Sequence, residues 1–69
     1  MKMEPVNSSN VAAVGYDEDS QTLQVEFNNG STYQYFDVPK AIYDGLYHAN
    51  SVGGYLNANI KGSFRFSRV

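Results

Sequence analysis

The sequence predicts an α+β fold: a three-stranded antiparallel β-meander followed by two short helices packed on one sheet face. Three observations predict it. Thr22 to Phe27 (TLQVEF) alternates strictly, with Leu23, Val25 and Phe27 on one side and Gln24 and Glu26 on the other. Asn28-Asn29-Gly30 then supplies the residues of a tight hairpin loop. From Pro39 onward the period changes, and Ile42, Leu46 and Ala49 recur at helical spacing.

The elements follow in order. Met1 to Asn10 is polar, contains Pro5 and the cluster Asn7-Ser8-Ser9-Asn10, and reads as an irregular lead-in. Val11 to Tyr16 (VAAVGY) is short and apolar on both faces, which fits a strand. Asp17 to Gln21 is a polar connector to the TLQVEF strand.

The loop after Phe27 decides the register of the next strand. A two-residue Asn29-Gly30 turn pairs Phe27 with Thr32 and puts Tyr33 and Tyr35 on the polar face. A three-residue loop with Gly30 in the left-handed position pairs Phe27 with Ser31, Val25 with Tyr33 and Leu23 with Tyr35. A slip of one residue flips the whole strand. The second register keeps the apolar face continuous and is favoured on that ground.

Pro39 holds Val38 out of the helical region and presets a first turn, with Asp37 or Val38 as the cap. The helix is expected over residues 39–49, with Tyr43 and Tyr47 widening its apolar stripe. Gly45 in its interior costs about 1 kcal/mol relative to Ala. Ser51 suits the cap of a second helix over residues 52–60, whose Val52, Leu56 and Ile60 recur every four residues. Lys61-Gly62 closes it with a cation that favours the dipole. Residues 63–69 (SFRFSRV) fit a short edge strand or a tail pinned by Phe64 and Phe66.

Composition narrows the function. The 69 residues make one domain, with an ordered core expected over about 8–66. Cysteine is absent, so packing alone must stabilise the fold. No apolar run approaches the roughly 20 residues of a membrane helix, and the N-terminal ten residues lack the apolar segment of a secretory signal. The expected location is the cytoplasm. Net charge is -2, yet it is uneven. Residues 1–60 carry two cations against seven acids, whereas 61–69 carry Lys61, Arg65 and Arg68 and no acidic side chain.

Catalytic machinery is scarce. His48 is the single histidine, sits late in the first helix and has no paired partner, so no enzyme activity is expected. Asp17, Glu18 and Asp19 lack the spacing of a calcium loop. Gly53-Gly54 lacks the Lys-Ser/Thr of a P-loop; Ser51, the two glycine amides and a nearby cation could together hold one phosphate. Rings interleaved with cations suit single-stranded nucleic acid, whose bases stack while cations meet phosphates. Tyr33, Tyr35, Tyr55, Phe64 and Phe66 supply rings, although in so small a domain the strand tyrosines fit the core better.

TYQYFDVP, residues 32–39, together with SVGGYLNANI, residues 51–60, resembles the KTSC domain, a family named for the C-terminus of some lysyl-tRNA synthetases. Its marks fall here on Tyr33, Tyr35, Phe36, Val38, Pro39, Ser51, Gly53, Tyr55, Asn57 and Ile60, and the resemblance covers about residues 8–66. The resemblance implies a small bacterial or phage-related domain, and its attachment to a tRNA synthetase implies RNA binding. Ala58 and Asn59 stand where the family often carries basic residues.

The expectation is a noncatalytic binding module, without cofactor or metal. Its ligand is expected to be RNA or another nucleic acid, held through Tyr33, Tyr35, Ser51, Gly53, Tyr55, Asn57, Lys61, Arg65 and Arg68. About three phosphate contacts give a slope of log K against log salt of about -2 to -3. The alternative is a protein-interaction module, using the acidic body or an exposed sheet edge, as a monomer or weak dimer.

Overall fold

A computed structural model describes residues 1–69. It contains strands β1 (Met3–Pro5), β2 (Val11–Asp17), β3 (Thr22–Phe27) and β4 (Thr32–Tyr35), helices α1 (Lys40–Tyr47) and α2 (Val52–Asn59), and strand β5 (Phe66–Arg68). The five strands form one antiparallel sheet in sequence order, β1-β2-β3-β4-β5, with both helices inserted between β4 and β5.

The expected meander is the middle of this sheet, and the sheet grows at both edges. Regular structure runs from residue 3 to residue 68, beyond the expected core of 8–66. Residues 63–69 do yield an edge strand, with Tyr33 opposite Arg68 and Tyr35 opposite Phe66. The lead-in is not wholly irregular, because Met3, Glu4 and Pro5 pair with Gly15, Val14 and Ala13. The pairing depends on Gly15. A Cβ there would lie 2.6 Å from Met3 Sδ and 2.8 Å from the Lys2 carbonyl oxygen, so only glycine lets β1 approach.

The hairpin between β3 and β4 takes the three-residue loop. Phe27 N–H donates to the Ser31 carbonyl, and Gly30 has φ +92°, which favours glycine. Val25 is opposite Tyr33 and Leu23 opposite Tyr35. On the outer face Gln34 Nε2 donates to Gln24 Oε1 at 2.8 Å. β2 carries a bulge between Val11 and Ala13. The extra residue brings Val11 and Val14, three apart, to the same buried side.

The core lies between the sheet and the helices: Val11, Val14, Leu23, Val25, Tyr35, Val38, Leu46, Val52, Leu56 and Ile60. α1 packs on β2, where Tyr43 stacks on Tyr16 at 5.0 Å between centroids. The Tyr16 hydroxyl donates to the Val38 carbonyl and ties the β4–α1 connection to the sheet. Asp37 does not cap α1. It sits at φ +58° and pairs with Arg65, while Pro39 is the N-cap residue without a side-chain hydrogen bond. Ser51 does cap α2, accepting from Gly54 N–H at 3.1 Å. Gly45 lets α2 pack closely on α1, since a Cβ there would meet Tyr55 Cζ at 2.8 Å.

Candidate functional site

The helices leave the β4–β5 end of the inner sheet face open. Antiparallel pairing places Tyr33, Tyr35, Phe66 and Arg68 on that face, next to Val25 and Leu23 of β3. Phe27 ends β3 where the loop turns, and Lys61 follows the end of α2. Together these residues bound a groove of about 350 Å³ lined by Phe27, Asn29, Ser31, Tyr33, Tyr35, Lys61 and Phe66.

The rings form a graded surface. Tyr35 is 3% exposed and belongs to the core, so it is the floor. Tyr33 is half-buried, and Phe66 is 59% exposed. Phe27 meets Tyr33 edge-on at 5.8 Å, and Phe66 lies 6.0 Å from Tyr33 and 5.9 Å from Tyr35. These are ordinary aromatic contacts that fix the ring planes while leaving faces open. Burial raises the Tyr35 hydroxyl above the usual phenol range, with the nearby Tyr33 hydroxyl adding to it, so Tyr35 stands as a neutral group at physiological pH.

Electrostatics separates the five cations. Lys2 pairs with Glu4, Lys40 with Asp44, and Arg65 with Asp37. Lys61 and Arg68 have no carboxylate partner; Lys61 lines the groove, and Arg68 lies next to it on the strand-edge side, outside the lining. The Lys61 ammonium stands 5.4 Å from the Phe27 centroid, and Arg68 is opposite Tyr33 across the sheet. A cation over a ring keeps its charge available for a ligand anion.

The structure brings together Tyr33, Tyr35, Lys61 and Arg68 of the expected set and sends the other five elsewhere. Arg65 points away from the groove, because strand alternation puts it opposite Phe66. There it binds Asp37 at 2.7 Å and lies 5.7 Å from the Phe36 centroid. Tyr55 is folded against α1 over Gly45 and offers no ring to the groove. Ser51, Gly53 and Asn57 line a separate cleft of about 270 Å³ with Asn7, Ser8, Ser9, Asn10, Asn50, Val52 and Gly54. That cleft has no charged side chain, so the cation expected beside the Gly53-Gly54 amides is absent there, and the Ser51 hydroxyl already serves Gly54. His48 Nδ1 faces the Asp44 carbonyl on the surface of α1. In the β2–β3 connection Asp17 Oδ1 accepts from Asp19 N–H.

Phe27, Asn29 and Ser31 were not anticipated as groove residues. Phe27 alternates with the core residues of β3, and only its place at the hairpin end, beyond the reach of the helices, separates it from them. Asn29 Oδ1 accepts from both the Ser31 amide and hydroxyl, at 3.0 and 2.6 Å, and shapes the rim.

The model of the KTSC domain matches residues 7–64. The chain belongs to the KTSC family. A protein of Tsukamurella paurometabola is 43% identical over 63 residues, covering 91% of this chain and 94% of its own. A lysine–tRNA ligase of Nostoc punctiforme is 43% identical over 54 residues, which are 78% of this chain but only 10% of the ligase. A crystal structure of a KTSC domain protein from Yersinia pestis superposes with a TM-score of 0.93 at 35% identity, covering 99% of this chain and 96% of that one. The KTSC fold therefore occurs both as nearly the whole of a small protein and as a tenth of a tRNA ligase. No helix of this KTSC domain is long and apolar enough to cross a membrane.

Proposed function

We propose that this KTSC domain is a noncatalytic, cytoplasmic binding module for single-stranded RNA, with the groove at the β4–β5 end as its site. One observation carries the reading: of the two cations left without carboxylate partners, Lys61 lines a groove bounded by four aromatic rings, and Arg68 is paired with Tyr33 beside it. Bases stacked on Tyr33 and Phe66 place the sugar-phosphate chain at the rim, within reach of Lys61 and Arg68. Stacking supplies sequence-tolerant affinity and the cations supply its salt dependence. The likeness to part of a lysine–tRNA ligase supports RNA as the ligand.

Removing Arg65 from the site changes the expected salt response. Two phosphate contacts on a single strand give a slope of about -1.4, against -2 to -3 for three. Fluorescence anisotropy of a labelled single-stranded RNA between low and moderate salt measures it. Absence of binding at low salt refutes the reading.

A second reading, a protein-interaction module, draws on the outer sheet face, which no helix covers. There Gln24 and Gln34 are hydrogen-bonded to each other and Glu26 is exposed. A partner captured after nuclease treatment, and lost on substitution of Gln24, Glu26 and Gln34, would favour this reading.

A further inference from the structure

The aromatic groove does not end at Lys61. A neighbouring cleft of about 490 Å³ shares Phe27, Asn29 and Lys61 with it and adds Ser9, Asn10 and Asn28. The third cleft, at the start of α2, shares Ser9 and Asn10 with the second. The three are therefore adjoining clefts in a row, separate but sharing walls, apolar and cationic at the β4–β5 end and uncharged at the other.

The far end has a distinct chemistry. Its hydrogen bonds employ the Ser8 hydroxyl, which accepts from the Asn10 and Val11 amides, and Asn28 Nδ2, which donates to the Ser8 and Ser9 carbonyls. The side-chain amides of Asn10, Asn50 and Asn57 make none of these bonds, so each keeps a donor and an acceptor for a ligand. Gly53 and Gly54 leave the wall low, with the nearest side chains to Gly53 being those of Asn10 and Ser8. Without a cation this end gains little from a phosphate. Paired donors and acceptors match a group that is itself both, and the ribose 2′-hydroxyl is the group of that kind that distinguishes RNA from DNA.

We propose that this amide-lined cleft holds the ribose of a nucleotide flanking the stacked bases, so that Asn10 and Asn57 give the row of clefts its preference for RNA over DNA. The proposal rests on the RNA-binding reading of the aromatic groove and adds a selectivity element to it. Stacked bases occupy the rings, the chain passes Lys61, and a 2′-hydroxyl further along exchanges hydrogen bonds with the asparagine amides. The footprint is about four nucleotides, the lower end of the range for small single-strand binding folds.

The test compares a uridine tetranucleotide with its deoxyuridine counterpart, which differ only in the 2′-hydroxyls, and adds a uridine dinucleotide. Binding of each is measured to the wild-type chain and to the double variant Asn10→Ala, Asn57→Ala. Both side chains are exposed, and neither makes a hydrogen bond in the cleft that the fold would lose. The expected result is about a five- to tenfold preference for the ribo form in the wild type, the worth of one net hydrogen bond. The double variant binds both forms equally and binds the dinucleotide as the wild type does. Equal wild-type affinity for the two tetranucleotides, or a ribose preference that survives the double substitution, overturns the proposal and leaves the RNA-binding reading standing. Failure of every oligonucleotide to bind overturns both.

Discussion

Phe66→Ala tests the groove directly, because the ring is mostly outside the core. Phe66 is 59% exposed, so about two-fifths of its surface is covered by the fold. Truncating a fully buried Phe costs about 3–5 kcal/mol, and scaling by coverage gives about 1–2 kcal/mol here. In a domain this small that lowers Tm by roughly 4–16 °C, which leaves a folded protein to assay if the wild type melts in the usual range. Loss of one stacked base costs about 1–3 kcal/mol, which is about 5- to 150-fold in Kd. Anisotropy of a labelled single-stranded RNA reads the affinity, and circular dichroism at the same temperature confirms that the variant is folded. Lys61→Ala should weaken binding and make the salt slope shallower by about 0.7, one phosphate on a single strand. Arg65→Ala is the internal control. It sits on the opposite sheet face, paired with Asp37 at 2.7 Å, and its loss should leave Kd within about twofold, as expected for an exposed charge outside the site. A folded Phe66→Ala variant that binds as tightly as the wild type, or an Arg65→Ala loss as large as that of Lys61→Ala, would refute the reasoning.

Two further predictions concern the fold. Gly15→Ala should detach β1 and destabilise by about 1–3 kcal/mol, the cost of overpacking against a backbone carbonyl that cannot swing aside. Thermal melts give the loss, and hydrogen exchange should show it concentrated in β1 and β2; an unchanged Tm counts against the close approach. Alkaline pH should also weaken the domain. Tyr16, Tyr35 and Tyr43 are all raised above the usual phenol value, chiefly by burial, with Glu18, Tyr33 and Glu4 next in effect respectively. The folded state then holds their protons more tightly than the unfolded one. Stability is intact below about pH 10 and falls as pH rises beyond it. A denaturant midpoint that stays level from pH 9 to 11.5 contradicts this.

The parts of the fold carried by local chemistry were readable. The alternation of Leu23, Val25 and Phe27 and the Asn28-Asn29-Gly30 loop together give the register that places Tyr35 in the core. Ser51 announced the start of α2. What was not readable depended on partners distant in sequence. β1 is three residues long and includes a proline, too short for a periodic signal; its trace is Gly15, a glycine inside an apolar strand that marks close backbone approach. The bulge between Val11 and Ala13 was likewise hidden, because VAAVGY is apolar on both faces and shows no break in alternation. At the candidate site, the basic ending does not make one surface. SFRFSRV alternates, so Arg65 and Phe66 had to part, but only the Asp37 contact and the open β4–β5 end show which side faces a groove. Tyr55 lies apart from the groove for a similar reason: the space that receives its ring is made by Gly45 on another helix.

β5 has a consequence of its own. It brings Phe66 and Arg68 to the groove, yet all three of its residues are exposed and it has a neighbour on only one side. Such a strand opens at a lower free energy than the core beneath it. Each opening dismantles the aromatic groove while Leu23, Val25 and Leu46 remain packed. The groove therefore has a lifetime separate from that of the folded chain, and a ligand bridging Tyr33 and Phe66, as proposed, would act as the clasp holding the last strand shut.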